Sequence, residues 1–271
     1  MNMTPVYETA KSLALQYLPR NLLHKVKKYH YLNKVKSVTI AEEPDLEILK
    51  YLVQPGDCVV DIGANIGVYT SFLSRLVSAT GRVYSIEPVP ATFDYLAYNI
   101  RGLNLGNVII KQVAITDREC DVTMMLPKDA AGVTNFYQAT IIPKGTKDNT
   151  ETAVNVKGRT LDNVLSDDVG NIVFIKCDIE GHELKCLHGS TNVLNRSRPA
   201  WLMEVSGNPE KKGSNADAVF SFMQNHEYST WVYHEGKIRP WVPEMVSVNY
   251  LFLTKQQVER LRRIDMINDQ G

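Results

Sequence analysis

An excess of either charge is missing from this chain of 271 residues: Lys and Arg total 30, and so do Asp and Glu. A nucleic-acid partner, which needs a basic face for its phosphates, is therefore not favoured on charge. Cysteine is scarce, and none of Cys58, Cys120, Cys177 and Cys186 belongs to a C-x-x-C pair. Cys58 and Cys177 fall inside apolar strand patterns, so the four read as small reduced core residues of a cytoplasmic protein. No apolar run approaches the roughly 18 residues of a membrane span. The first residues also lack the unbroken apolar core of a signal peptide, so the sequon Asn195-Arg196-Ser197 is read as chance. Internal repeats and low-complexity tracts are absent too.

What remains is a chain with 44% hydrophobic residues, enough for one large core: a single α/β domain with an N-terminal extension is expected. Its organising stretch is Asp57-Cys58-Val59-Val60-Asp61-Ile62-Gly63-Ala64-Asn65-Ile66-Gly67. A short apolar run, patterned like a strand buried on both faces, breaks into two glycines spaced four apart before a helical pattern begins at Val68. Gly63 lets the chain bend sharply, and Gly67 removes a side chain where helix and ligand would crowd the strand end. The next acid at a strand tip is Glu87, twenty residues after Gly67, where a carboxylate commonly accepts hydrogen bonds from ribose hydroxyls. Nicotinamide and S-adenosylmethionine sites share that acid. The turn separates them, because D-I-G-A-N-I-G lacks the third glycine of a pyrophosphate site. Asp61 at its mouth suits the cationic methionyl end of S-adenosylmethionine and would repel a pyrophosphate.

Along the chain, residues 1–41 read as a helical cap with Leu13, Leu15, Leu18, Leu22 and Leu23 among Lys11, Arg20, Lys25, Lys27 and Lys28. A basic amphipathic helix of this kind can also lie on a membrane or meet a lipid-linked acceptor. The main domain is placed at 42–256 and a C-terminal tail at 257–271. Strands are expected at Val83-Tyr84-Ser85-Ile86 and Val108 to Ala114, with a helix from Pro90 between them; short joins of this kind build a right-handed parallel sheet. An irregular insertion at about 116–159 holds a hairpin strand at Val122 to Leu126, and Gly132 to Tyr137 is a candidate lid. Ile172 to Ile179 and Ala200 to Val205 are further strands. Strands at Tyr228 to Tyr233 and Val246 to Leu253 close the domain with an antiparallel element.

Together the motifs resemble the FkbM-type S-adenosylmethionine-dependent methyltransferases. The matching pieces are Asp61 to Gly67, Glu87-Pro88-Val89-Pro90 with Leu96 and Asn99, Thr160-Leu161-Asp162, and Lys176-Cys177-Asp178-Ile179-Glu180-Gly181-His182-Glu183 with Leu187 and Gly189. Where many members carry His after the fifth-strand acid, this chain has Ser206. The resemblance implies a class I methyltransferase fold: a Rossmann-like, seven-stranded, mostly parallel sheet with an antiparallel last strand. It implies methyl transfer to a hydroxyl of a sugar, glycolipid, polyketide or similar small acceptor.

In such a sheet ligands sit beyond the carboxyl ends of the strands, so Asp61, Glu87, Ala114, Asp178 and Glu204 should converge on one crevice. Gly63, Ala64, Asn65, Gly67, Pro88 and Asp178 complete the expected cofactor contacts. A hydroxyl needs a base before it attacks, and Asp178 and Glu180 are favoured as the positioning and base pair, followed by His182. The plainer reading makes Glu180 and Glu183 helix caps and His182 a solvent-facing first-turn residue. Asp178, Glu180 and His182 could also hold a divalent cation, but alternating residues on one short turn make a poor cage, and no metal is expected. A non-catalytic S-adenosylmethionine-binding module and an NAD-linked enzyme are the alternatives. Oligomeric state is left open.

Overall fold

In the computed structural model, which describes residues 19–127, 139–142, 152–165, 170–245 and 247–268, the apolar run after Asp57 becomes β1 (Cys58–Ile62). It lies inside the main sheet. Parallel pairing runs from β3 (Val108–Lys111) through β2 (Arg82–Ile86), β1 and β8 (Ile172–Cys177) to β9 (Ala200–Glu204). The sheet then turns antiparallel through β12 (Asn249–Thr254), β10 (Tyr228–His234) and the edge strand β11 (Lys237–Pro240). The expected antiparallel strand is present, but the sheet has eight strands rather than seven. The eighth arises because Glu235 and Gly236, both at positive φ, fold the chain back on β10 as a tight hairpin.

Alternation along the strands divides the core. Val59, Phe174 and Leu202 face α2 (Leu46–Leu52) and α3 (Val68–Val77), whereas Val60, Ile175, Trp201 and Met203 face the opposite layer. That layer includes α5 (Leu161–Val164), α6 (Glu183–His188), α7 (Thr191–Arg196) and α8 (Asn215–Asn225). Between β2 and β3, α4 (Pro90–Gly102) starts on a proline suited to its first turn and packs Leu96 and Ile100 beside Ala64 of the glycine turn. The N-terminal helix α1 (Arg20–Ser37) rests on α4, with Val35 and Tyr31 clustered around Tyr95 and Ile66.

The run expected as one strand from Val108 to Ala114 is split. After Lys111 the chain leaves the main sheet, and β4 (Ala114–Ile115) pairs with β7 (Thr152–Arg159). With β5 (Cys120–Leu126) and β6 (Thr140–Ile142) these make a separate four-stranded sheet in the order β4-β7-β5-β6. The insertion is therefore a β layer. The candidate lid Gly132 to Tyr137 and the leucines Leu13, Leu15 and Leu18 lie outside the described residues.

The described residues of the segment set apart as a tail, 257–268, pack into the core. α9 (Lys255–Arg263) opens with a capping box between Thr254 and Gln257, and Val258, Leu261, Met266 and Ile267 are buried against the α2 and α3 layer. Burying such side chains contributes roughly 1.5–3 kcal/mol each. A chain ending at Gln256 should lose several kcal/mol of stability or fail to fold. Urea unfolding of the shortened and full chains checks this; equal midpoints would mean that these contacts contribute nothing.

Candidate active site

The glycine turn after β1 is held by its backbone. Gly63 and Ala64 N–H groups donate to the Ile86 carbonyl at 2.9 and 3.0 Å, tying β1 to the end of β2. Gly63 has φ +79°, and a Cβ there would lie 1.8 Å from the carbonyl oxygen of Asp178. Gly67, at φ +95°, would place a Cβ 2.8 Å from Leu96. Both positions favour glycine on conformation, and at Gly63 the backbone contact requires it on space as well. Asn99, fully buried in α4, donates to the Ile66 carbonyl at 2.9 Å and braces the turn from below.

Glu87 is fixed by the same turn. Its Oε2 accepts the Asn65 N–H at 3.0 Å and its Oε1 the Val89 N–H at 2.9 Å. Burial pushes its carboxyl up to about 7, while the two amides pull it the other way. Beside it lies a crevice open to solvent, about 610 Å³ with its mouth included, lined by Gly63, Asn65, Pro88, Ala114, Asp178, Glu180 and His182 together with Val113, Ile115, Met124, Ala139 and Ile141. Met124 of β5 and Ile141 of β6 bring the β layer into its apolar wall.

Of the expected contact residues, Gly63, Asn65, Glu87, Pro88, Ala114 and Asp178 line the crevice. Ala64 and Gly67 are buried in the turn behind it, packed with α4. Asp61 differs from expectation. It is 2% exposed, and its Oδ2 accepts the Thr70 hydroxyl at 2.5 Å, so it lies beneath the crevice rather than at its mouth. Thr70 in turn contacts Ser85 at 2.8 Å. Burial pushes the Asp61 carboxyl up to about 6 despite the Thr70 hydrogen bond.

At the end of β8 the acids gather. Oxygens of Asp178, Glu180 and Glu204 lie within 4.8 Å of one another, close enough to share a cation, and His182 is not among them. Glu180 and Glu204 hold their protons more tightly than ordinary carboxyls, first through burial and then through the Asp178 charge. Glu183 does not join this group. It is fully buried, and its Oε1 accepts the Gly181 N–H at 2.8 Å while Asn215 donates to Oε2 at 3.3 Å, which ties the turn before α6 to α8 rather than capping α6, whose N-cap position is His182. His182 is half-buried against the crevice rather than facing solvent, with Nε2 shielded and without a hydrogen-bond partner among the described residues. Burial lowers its imidazole to about 4, so at neutral pH it is uncharged and a weak proton acceptor.

Several residues at this strand end carried no assigned role in the sequence pattern. Lys176 is 3% exposed, with Nζ 3.8 Å from Asp178 Oδ2 and 5.1 Å from the Tyr69 ring centroid. It faces Asp61 across the β1–β8 register. Its charge also lowers the carboxyls of Glu43 and Asp45, which burial otherwise raises. The available signal was a lysine set in the apolar run of β8; Glu43 and Asp45, more than a hundred residues away in the chain, had none.

The family description Methyltransferase FkbM domain matches residues 61–230. This chain belongs to the FkbM methyltransferase domain family. Among curated proteins it is similar to the hexuronic acid methyltransferase AglP of Haloferax volcanii, 29% identical over 155 residues. That match covers 56% of this chain and 58% of AglP. Among solved structures it is similar to the FkbM methyltransferase of Methylobacillus flagellatus KT, with TM-score 0.47, 15% identity, and coverage of 91% of this chain and 59% of that one. Aeropyrum pernix fibrillarin, solved with natively bound S-adenosyl-L-methionine, aligns with TM-score 0.46 and 12% identity over 78% of this chain and 73% of that one.

Glu87 titrates in a direction that can be tested without ligand. The folded chain holds its proton with a pKa of about 7 against an ordinary 4.5, so this contribution to stability is fully present below pH 4.5 and lost as pH rises through 7. Relative to Glu87→Gln, the wild-type chain should lose up to ~3 kcal/mol between those limits. Urea unfolding of both chains at pH 5 and pH 8 measures it; a difference independent of pH would contradict the burial of this acid.

Proposed function

We propose that this protein is an S-adenosylmethionine-dependent O-methyltransferase whose acceptor is a hydroxyl of a small molecule, a sugar before a glycolipid or polyketide. The observation that carries the reading is Glu87, pinned by two backbone amides at the rim of an apolar slot whose far end is the acid group at Asp178. The residues suit the cofactor. A Cβ at Gly63 would collide with the Asp178 carbonyl, and two shielded polar atoms on the crevice wall, Asn65 Oδ1 and His182 Nε2, have no hydrogen-bond partner among the described residues. Unpartnered buried polar atoms are costly, and a ligand with its own polar groups can satisfy them.

In this reading Glu87 accepts the ribose hydroxyls, and Val113, Ala114, Met124 and Ile141 enclose the adenine. When bound, the cofactor supplies an electrophilic methyl group on a sulfonium. The carboxylates near Asp178 complement that positive charge and orient the acceptor. Asp178 or Glu180 would take the proton of an acceptor hydroxyl placed beside them. Glu180, with its raised affinity for protons, suits that step. AglP, named for a hexuronic acid, supports a sugar acceptor. Crowded carboxylates around Asp178 oppose a second acid, which favours a hydroxyl rather than a carboxylate as the atom methylated.

Transfer of labelled methyl to a panel of hexosides, glycolipids and polyketides tests the proposal. A methylated hydroxyl product is expected, and Asp178→Asn should lower turnover by about 10²–10⁴-fold, more than it weakens cofactor binding. Cofactor binding without transfer to any acceptor would favour a non-catalytic module. Unchanged turnover in Asp178→Asn would remove that residue from the mechanism.

A further inference from the structure

The helix α1 has two apolar sides, and only one is packed among the described residues. Leu32 and Val35 are buried, and Tyr31 packs with Tyr95 and Ile66, which seats the helix directly beside the cofactor turn. Leu22, Val26 and Tyr29 follow the i, i+4, i+7 spacing on the outer side and are 46%, 45% and 65% exposed. They are three of the six large hydrophobic residues exposed among the described residues.

Charge is distributed around that ridge with the same bias. The helix carries Arg20, Lys25, Lys27, Lys28, Lys34 and Lys36 and no acid at all, in a chain whose formal charge is zero. No Asp or Glu occurs between Glu8 and Glu42. Lys25 and Lys36 are exposed and flank the ridge on one side, with His30 exposed on the other, while Lys28 is turned inward to Asp94 at 2.8 Å. An apolar ridge that includes an aromatic ring, with lysines along its flank, matches the plane where acyl chains meet anionic headgroups. No helix of the described residues is long and apolar enough to cross a membrane, so the contact would be peripheral.

We infer that the outer face of α1 is a docking surface for an anionic lipid bilayer, with Leu22, Val26 and Tyr29 inserted and Lys25 and Lys36 at the headgroups. The surface lies about one helix diameter, roughly 10–12 Å, from the glycine turn. A saccharide carried on a lipid in that bilayer would thus be presented close to the crevice; this consequence rests on the proposed transfer reaction, whereas the docking does not.

The test is sedimentation of the full chain with vesicles, without acceptor. The chain should sediment with phosphatidylcholine vesicles containing phosphatidylglycerol and at least tenfold less with phosphatidylcholine alone. Leu22→Ser, Val26→Ser and Tyr29→Ser combined should abolish this binding while leaving S-adenosylmethionine affinity by calorimetry unchanged. Lys25→Glu with Lys36→Glu should weaken vesicle binding by roughly tenfold or more. Absence of binding, equal binding to both vesicles, or binding indifferent to the ridge variants would overturn the proposal. So would slow thiol labelling of Tyr29→Cys without vesicles, since residues 1–18 or a second copy would then already cover the ridge.

Discussion

The carbonyl oxygen of Asp178 leaves no space for a side chain at Gly63, and this close approach couples the two halves of the site. In the proposed reading the turn after β1 would set where the cofactor's sugar rests, and the end of β8 sets where the acids stand. Because the two backbones touch, their separation is fixed by contact rather than by flexible side chains. The Asp178 N–H donating to the Ile62 carbonyl at 3.0 Å holds the same junction from the other direction. A ligand spanning Glu87 and Asp178 therefore meets a prearranged distance, which limits the ordering cost of binding.

That junction concentrates negative charge, and the fold manages it in layers. Beneath the crevice Asp61 is paired with Thr70 and then Ser85, a hydrogen-bonded chain that tolerates either protonation state. At the strand end Lys176 supplies an ammonium beside Asp178, backed by the Tyr69 ring. Glu180 and Glu204 remain raised in pKa, so these two hold their protons more tightly than isolated carboxyls. A buried lysine among acids is expensive unless paired, and here the paired acid is Asp178, which lines the crevice.

The parts of this arrangement built from short apolar runs between glycines and prolines were legible in the sequence. β1, α3, β2 and the start of α4 fall where strand and helix periods change at Gly63, Gly67 and Pro90. The β layer was less visible because β7 is a polar, half-exposed strand whose only strong cue is its pairing with β5, more than thirty residues away. β11 has four residues and depends on a turn, and α9 carries enough arginine and lysine to look like a solvated end until its capping box and its buried Val258 and Leu261 are seen. At the site, Glu87 and Asp178 were readable from strand tips, but the depth of Asp61 was not. Its position follows from Thr70, a helix residue whose direction a linear pattern does not specify. Glu43 and Asp45 join the acid group only through tertiary packing around Lys176.

The central claim is that Glu87 and the Asp178 group grip opposite ends of one donor molecule. A crystal structure of the protein grown with S-adenosylhomocysteine measures this directly. The account predicts ribose hydroxyls on the Glu87 carboxylate, the adenine between Ala114 and Ile141, and the sulfur facing Asp178. The ligand bound elsewhere, or ordered in the crevice with its ribose away from Glu87, would contradict it.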